Sequence, residues 1–182
     1  MKKSITTLLF IFLSACSDLS IFNTPRPPII FPAANTPVPL PQATLPGVYN
    51  NSKYGYSLNY PDTYDIIVVN DEFVEIGNKL TVEVMTIDPT APRGDGAVIE
   101  SASDAQISGY PATLLTGYVG SVGGYMPQQF KQLVIERNGN YFVLTLYALG
   151  LHITDGDISQ IVQLTPEDVT LFDEIAESMH IP

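Results

Sequence analysis

The rhythm of apolar and polar residues changes three times along the chain. Residues 5–13 are mostly apolar, behind Lys2 and Lys3. Residues 17–46 show no period and are punctuated by proline. From about residue 49 a period of two takes over, the spacing of half-buried strands. Tyr54, Tyr56, Leu58 and Tyr60 alternate with Gly55, Ser57 and Asn59, which predicts a strand closed by Pro61-Asp62. Residues 64–69 form a β-branched run, and Asn70-Asp71 turns it into a strand over 73–76. Gly77-Asn78 leads into residues 80–87, where Leu80, Val82 and Val84 alternate with Thr81 and Glu83, so this half reads as an antiparallel meander. Residues 88–107 carry Pro89, Pro92, Gly94 and Gly96, and 97–106 reads either as a short strand or as a helical turn.

Strands are expected again over 110–119, 128–137 and 141–148. Asn138-Gly139 marks a tight hairpin between the last two. Residues 141–147, Tyr-Phe-Val-Leu-Thr-Leu-Tyr, are apolar on both faces, which predicts a central strand covered by helix on one side and at least partly covered on the other. The final element reads as a helix. Thr165 is placed to cap it, Pro166 suits its first position, and Glu167 and Asp168 suit the positive end of its dipole. Val169, Phe172, Ile175, Ala176 and Met179 fall on one face, expected against the sheet, with Asp173, Glu174 and Glu177 outward. His180-Ile181-Pro182 is read as a final short strand. The fold class expected is α+β, an antiparallel sheet with a C-terminal helix packed on it, over residues 47–182.

The first segment has the parts of a secretory signal: a charged start, an apolar centre and the small residues Ser14-Ala15. Its apolar run is about half the roughly 20 residues a spanning helix requires. Leu13-Ser14-Ala15-Cys16 resembles the lipobox of bacterial lipoproteins. That resemblance implies a diacylglyceryl thioether on Cys16, removal of residues 1–15, and a membrane partner held through the lipid. Ser17 follows the cysteine where aspartate commonly retains such proteins on the inner membrane, so the expected location is the outer face of the cytoplasmic membrane or the outer membrane. Residues 16–46 then form a tether. Eight of the chain's 15 prolines fall in it, favouring an extended polyproline path of up to roughly 90 Å at ~3.1 Å per residue.

Charge narrows the partners. Loss of Lys2 and Lys3 leaves six basic residues against 19 acidic ones, about −13 at neutral pH. Nucleic acid is excluded, because phosphate binding needs clustered Lys and Arg. With its one cysteine claimed by lipid, the chain keeps no thiol for catalysis or metal binding.

Two histidines and no Gly-x-Ser-x-Gly elbow leave little for nucleophilic catalysis, so the chain is expected not to be an enzyme and to need no cofactor. His152, Asp155 and Asp157 share one loop and are the candidate cation or ligand set, although Asp-Gly-Asp is far short of an EF-hand. Glu72, Glu75 and Glu83 lie within reach of one another across a hairpin, read as a solvated face. Residues 120–124 are glycine-rich but lack the Lys-Ser/Thr of a phosphate loop. Tyr118 and Tyr125 flank that loop and are the candidate interaction residues.

Several stretches together resemble PsbP-like domains. Residues 54–61, Tyr-Gly-Tyr-Ser-Leu-Asn-Tyr-Pro, are similar to the opening strand of that group, with Tyr64 where tryptophan is frequent. Ile107-Ser108-Gly109-Tyr110-Pro111-Ala112 resembles its Gly-x-Pro-Ala turn, residues 141–146 its central strand, and residues 172–181 its closing helix, with Met179 replacing an aromatic. The resemblance implies an antiparallel sheet with packed helices and work by binding or assembly, as in the extrinsic, non-catalytic photosystem II protein of that family. None of that protein's metal-related residues has a match here. The helix expected after the first meander is short or absent near 97–106. The expected function is a lipid-anchored, extracytoplasmic domain that binds or scaffolds an envelope protein. The alternative is a small-ligand or cation site in the 152–157 loop or between sheet and helix.

Overall fold

The strands over residues 73–76 and 80–85 bury alternate side chains, and two of the domain's hairpins close on glycine turns. The computed structural model describes residues 44–90, 96–121, 126–149 and 160–182, all within the unit Pro39–Pro182. The described elements are β1 (Gly47–Asn50), β2 (Ser57–Tyr60), β3 (Ile66–Asn70), β4 (Phe73–Ile76), β5 (Leu80–Met85), β6 (Ala97–Ile107), β7 (Tyr110–Val119), β8 (Gln128–Arg137), β9 (Asn140–Tyr147) and α1 (Pro166–Ser178). Strands β3 to β9 form an antiparallel sheet in the order β3-β4-β5-β9-β8-β7-β6. The doubly apolar strand β9 is thus its centre, as its composition predicts. The α+β class, with one C-terminal helix against the sheet, is observed.

Sheet register comes from turn chemistry. Asn138 (φ 54°) and Gly139 (φ 77°) supply the two positive-φ residues a tight hairpin requires, and they set Arg137 opposite Asn140 and Glu136 opposite Tyr141. Ser108 (φ 50°) and Gly109 (φ 86°) do the same between β6 and β7, setting Ile107 opposite Tyr110. The open reading of 97–106 therefore resolves as strand. It is an 11-residue edge strand with a register shift between Ile99 and Ser101.

Two expectations are corrected. The strand expected from Tyr54 begins only at Ser57. Asn51 Oδ1 accepts from the backbone N–H groups of Lys53 and Tyr54 at 3.1 and 3.0 Å, and Gly55 at φ +73° completes the turn, so this stretch is bent. In addition, β2 pairs with β1 in a separate two-stranded sheet rather than opening the meander. The expected final strand reduces to one bridge, His180 with Ser57.

The core lies between the sheet and α1. Val74, Ile76, Leu80, Val82, Leu144 and Leu146 have no exposed surface, and they meet Leu171, Phe172, Ile175, Ala176 and Met179. Leu171 joins the buried face in place of Val169, and Glu174 is half-buried rather than outward. Tyr56 and Leu58 bring the small sheet into the same core, with the Tyr56 ring edge-on to Phe142 at 5.8 Å. The opposite face buries Leu115, Phe130, Val134 and Val143, and there Gln132 Nε2 donates to Thr145 Oγ1 at 2.8 Å.

Two lysines fasten α1. Lys131 reaches Asp173 at 2.6 Å and lies 5.1 Å from the centre of the Phe172 ring. Lys79 bonds Asp168, with the two side chains only 15% and 16% exposed. Asp168 also completes a capping box with Thr165. Burial pulls the Asp168 pKa upward, but the Lys79 and Thr165 bonds outweigh it and hold the carboxyl below its usual value. A carboxyl depressed by folding adds stability above its unfolded pKa, and that stability disappears as pH falls through the folded value. Melting temperature should therefore fall with pH below about 4. Asp168→Asn should flatten part of that fall and cost about 1–2 kcal/mol at pH 7. An unchanged pH profile in thermal melts of the variant would remove Asp168 from the acid limb.

Candidate functional site

Cross-strand pairing on the face away from α1 brings together carboxylates that are distant in sequence. Asp104 of β6 stands opposite Thr113 of β7, which stands opposite Val134 of β8. One step along, Glu136 stands opposite Tyr141. Asp88 and Thr90 arrive from the segment after β5, where Asp88 Oδ1 accepts from the Thr90 N–H at 2.8 Å and from its hydroxyl at 2.7 Å. These residues, with Pro111 and Ala112, line an open cleft of about 370 Å³.

Among the described residues, three carboxylates, two threonines and a tyrosine line this cleft, and no Lys, Arg or His does. Desolvation first, then the negative charges of Glu136 and Asp88, hold the Tyr141 hydroxyl above its ordinary pKa. It stays a neutral donor in a field that favours a positive group. Such a site can accept hydrogen bonds from an ammonium, a guanidinium or a hydroxyl-rich group. Among the described residues no three His, Cys, Asp or Glu side chains are set to hold a metal ion.

The described lysines and arginine of the domain are engaged elsewhere than in the cleft. Lys53 bonds Glu72 at 3.0 Å, Lys79 bonds Asp168, and Lys131 bonds Asp173. Arg137 lies over the Tyr110 ring, 4.7 Å from its centre. Each described basic side chain is thereby engaged inside the domain.

Of the residues singled out from sequence, Cys16, His152, Asp155, Asp157 and Tyr125 lie outside the described residues. Tyr118 sits in β7 between Val98 and Gln129, half-buried. The three glutamates do not converge. Glu75 pairs with Thr81 and Glu83 with Phe73, so they share a face as diagonal neighbours. Glu72 instead accepts from Lys53 Nζ and Tyr54 Oη, both at 3.0 Å. Those bonds, Lys53 first, lower its pKa.

Sequence reasoning passed over Asp88, Asp104, Glu136 and Tyr141. One signal for them was present: the Asn138-Gly139 turn already sets Glu136 across from Tyr141.

Neither a family model nor a curated protein sequence matches this chain. Among solved structures, the solution structure of cyanobacterial PsbP (CyanoP) from Synechocystis sp. PCC 6803 is similar over 75% of this chain and 92% of its own, with a TM-score of 0.43 and 15% identity. A Pseudomonas aeruginosa protein of unknown function, PA94, is similar over 56% of this chain and 81% of its own, with a TM-score of 0.31 and 17% identity.

Proposed function

We propose that this chain is a lipid-anchored, extracytoplasmic binding protein, whose non-catalytic domain is carried on a proline-rich tether and receives a cation-bearing envelope partner. The observation that carries the binding half is the sorting of charge. The described lysines and the arginine turn to acids and rings of the domain itself, while Asp104 and Glu136 line an open cleft. Buried apolar area explains the fold but not that asymmetry. The anchoring half rests on Leu13-Ser14-Ala15-Cys16 and the eight prolines that follow. Two or more acyl chains on Cys16 hold a protein stably at ~0.8 kcal/mol per buried CH₂.

Each half has its own test. Cys16→Ala should abolish incorporation of labelled palmitate and release the protein from the membrane fraction. A variant that stays membrane-bound and labelled contradicts the anchor. For the cleft, cross-linking in intact cells is compared between the natural chain and Asp104→Asn/Glu136→Gln. The cross-linked partner should be lost in the double variant, and equal recovery from both would discard the cleft.

A further inference from the structure

Strand β3 is the outermost strand on the side of the sheet away from β6. Three consecutive β-branched residues on it, Ile67, Val68 and Val69, are 53%, 54% and 58% exposed. Edge strands are ordinarily blunted by charge, proline or a cover, because their unpaired backbone groups template further pairing. Here, among the described residues, the protection is confined to the ends. A register shift between Val68 and Asn70 closes one end of the ladder, and no charged residue lies within Ile66–Asn70.

The direction of the free backbone groups follows from the pairing with β4. Gly77 N–H donates to the Asp65 carbonyl at 2.8 Å, continuing the register in which Ile66 stands opposite Ile76 and Ile67 opposite Glu75. In an antiparallel ladder hydrogen-bonded and non-bonded pairs alternate. Asp65 and Ile67 therefore turn their backbone groups inward to β4, and Ile66 and Val68 turn theirs to the open edge.

Charge selects the occupant. Exposed Asp62 and Asp65 precede this apolar centre, and exposed Asp71 and Glu72 follow it. Lys53, beside the second pair, is held by Glu72 at 3.0 Å and lies 3.8 Å from Asp71. Two copies of β3 related by a two-fold axis would run antiparallel and bring the acidic start of one against the acidic end of the other. Like charges across a strand pair are destabilising.

We propose that the β3 edge takes up an extended segment of a partner protein as an added antiparallel strand, with a β-branched centre over Ile66–Val68 and Lys or Arg on both flanks. Main-chain bonds to Ile66 and Val68 give the affinity, and the four carboxylates fix register and exclude acidic segments. This surface lies across the sheet from the acidic cleft. It rests on the binding reading only for its biological setting, since its test needs neither the membrane nor the cleft.

The test uses the mature chain from Cys16 in detergent and a fluorescent peptide, Lys-Lys-Val-Thr-Val-Thr-Val-Lys-Lys. Binding is read by anisotropy, and its place by hydrogen exchange. The peptide should slow exchange at Ile66 and Val68, weaken roughly tenfold or more with added salt, and lose its effect when the four Lys are replaced by Glu. Val68→Pro removes an outward N–H without touching the β4 ladder and should abolish binding. Ile67→Lys keeps the backbone intact and should weaken binding about fivefold or more through charge. It decides the matter if the proline variant fails to fold. Unchanged exchange at Ile66 and Val68 with millimolar peptide, or equal binding by the Glu-flanked peptide, overturns the proposal. A concentration-dependent dimer that Ile67→Lys abolishes would also overturn it, in favour of a second copy.

Discussion

Phe172→Ala is expected to cost about 3–5 kcal/mol, the usual range for a buried phenylalanine cut to alanine. Phe172 is 1% exposed and sits between Leu171 and Ile175 on the face of α1 that meets the central strands. Its ring also lies 5.1 Å from the Lys131 ammonium, and Lys131 is itself only 8% exposed. Removing the ring leaves a cavity and deprives a nearly buried cation of one of its contacts, so the cost should fall toward the upper end of that range. In thermal melts the midpoint should drop by roughly 10–20 °C. Phe172→Leu keeps most of the volume and should cost about a third as much. Equal losses from the two variants would mean that filling the space is not what this residue does.

Gly117→Ala is expected to be nearly as severe, for a different reason. A Cβ at residue 117 would lie 2.0 Å from the Val98 carbonyl oxygen and 3.0 Å from Phe130 Cζ. The ring can give, but a backbone oxygen can move only by shifting β6 against β7. The residue sits where that pair already changes register, between Ile99 and Ser101. The expected loss is about 2–4 kcal/mol, with the amides of β6 losing hydrogen-exchange protection before the rest of the sheet. Gly139 is the control. It has φ +77° and nothing within 4 Å of an added Cβ, so alanine there should cost only about 1 kcal/mol, from backbone strain alone. Urea titrations of the two variants separate a clash from a conformational cost. A Gly117→Ala protein as stable as the parent would contradict the β6–β7 contact.

What could be read from sequence divides along physical lines. Strands β7 and β8 follow the expected ranges residue for residue, because the glycine turns beside them are local signals. The cap Thr165 and the start at Pro166 are equally local. Strand β1 had no such signal. Gly47-Val48-Tyr49-Asn50 emerges from a proline-rich stretch and owes its conformation to β2, ten residues on. Strand β6 had the wrong signal: its residues are exposed nearly throughout, so no apolar period marks it. Only Ser108-Gly109 hints at it, because a two-residue hairpin requires an antiparallel partner on its N-terminal side. The cleft was harder still. Asp88, Asp104, Glu136 and Tyr141 come from four separate segments, and no pattern shorter than the sheet's register places them together. The proposed anchor lies at the other extreme, since the lipobox reading needs four adjacent residues and no fold.

The proposed anchor is also the feature most open to direct measurement. Intact-mass spectrometry of the protein extracted from membranes reads the start of the mature chain and whatever is attached to it in one experiment. The expected result is a chain beginning at Cys16, heavier than its sequence by a diacylglyceryl group, and losing the two ester-linked acyl chains on ester cleavage while the glyceryl thioether stays on Cys16. A chain that retains residues 1–15, or one cut elsewhere with a free Cys16 thiol, would contradict the reading of this protein as a tethered domain held at a membrane face.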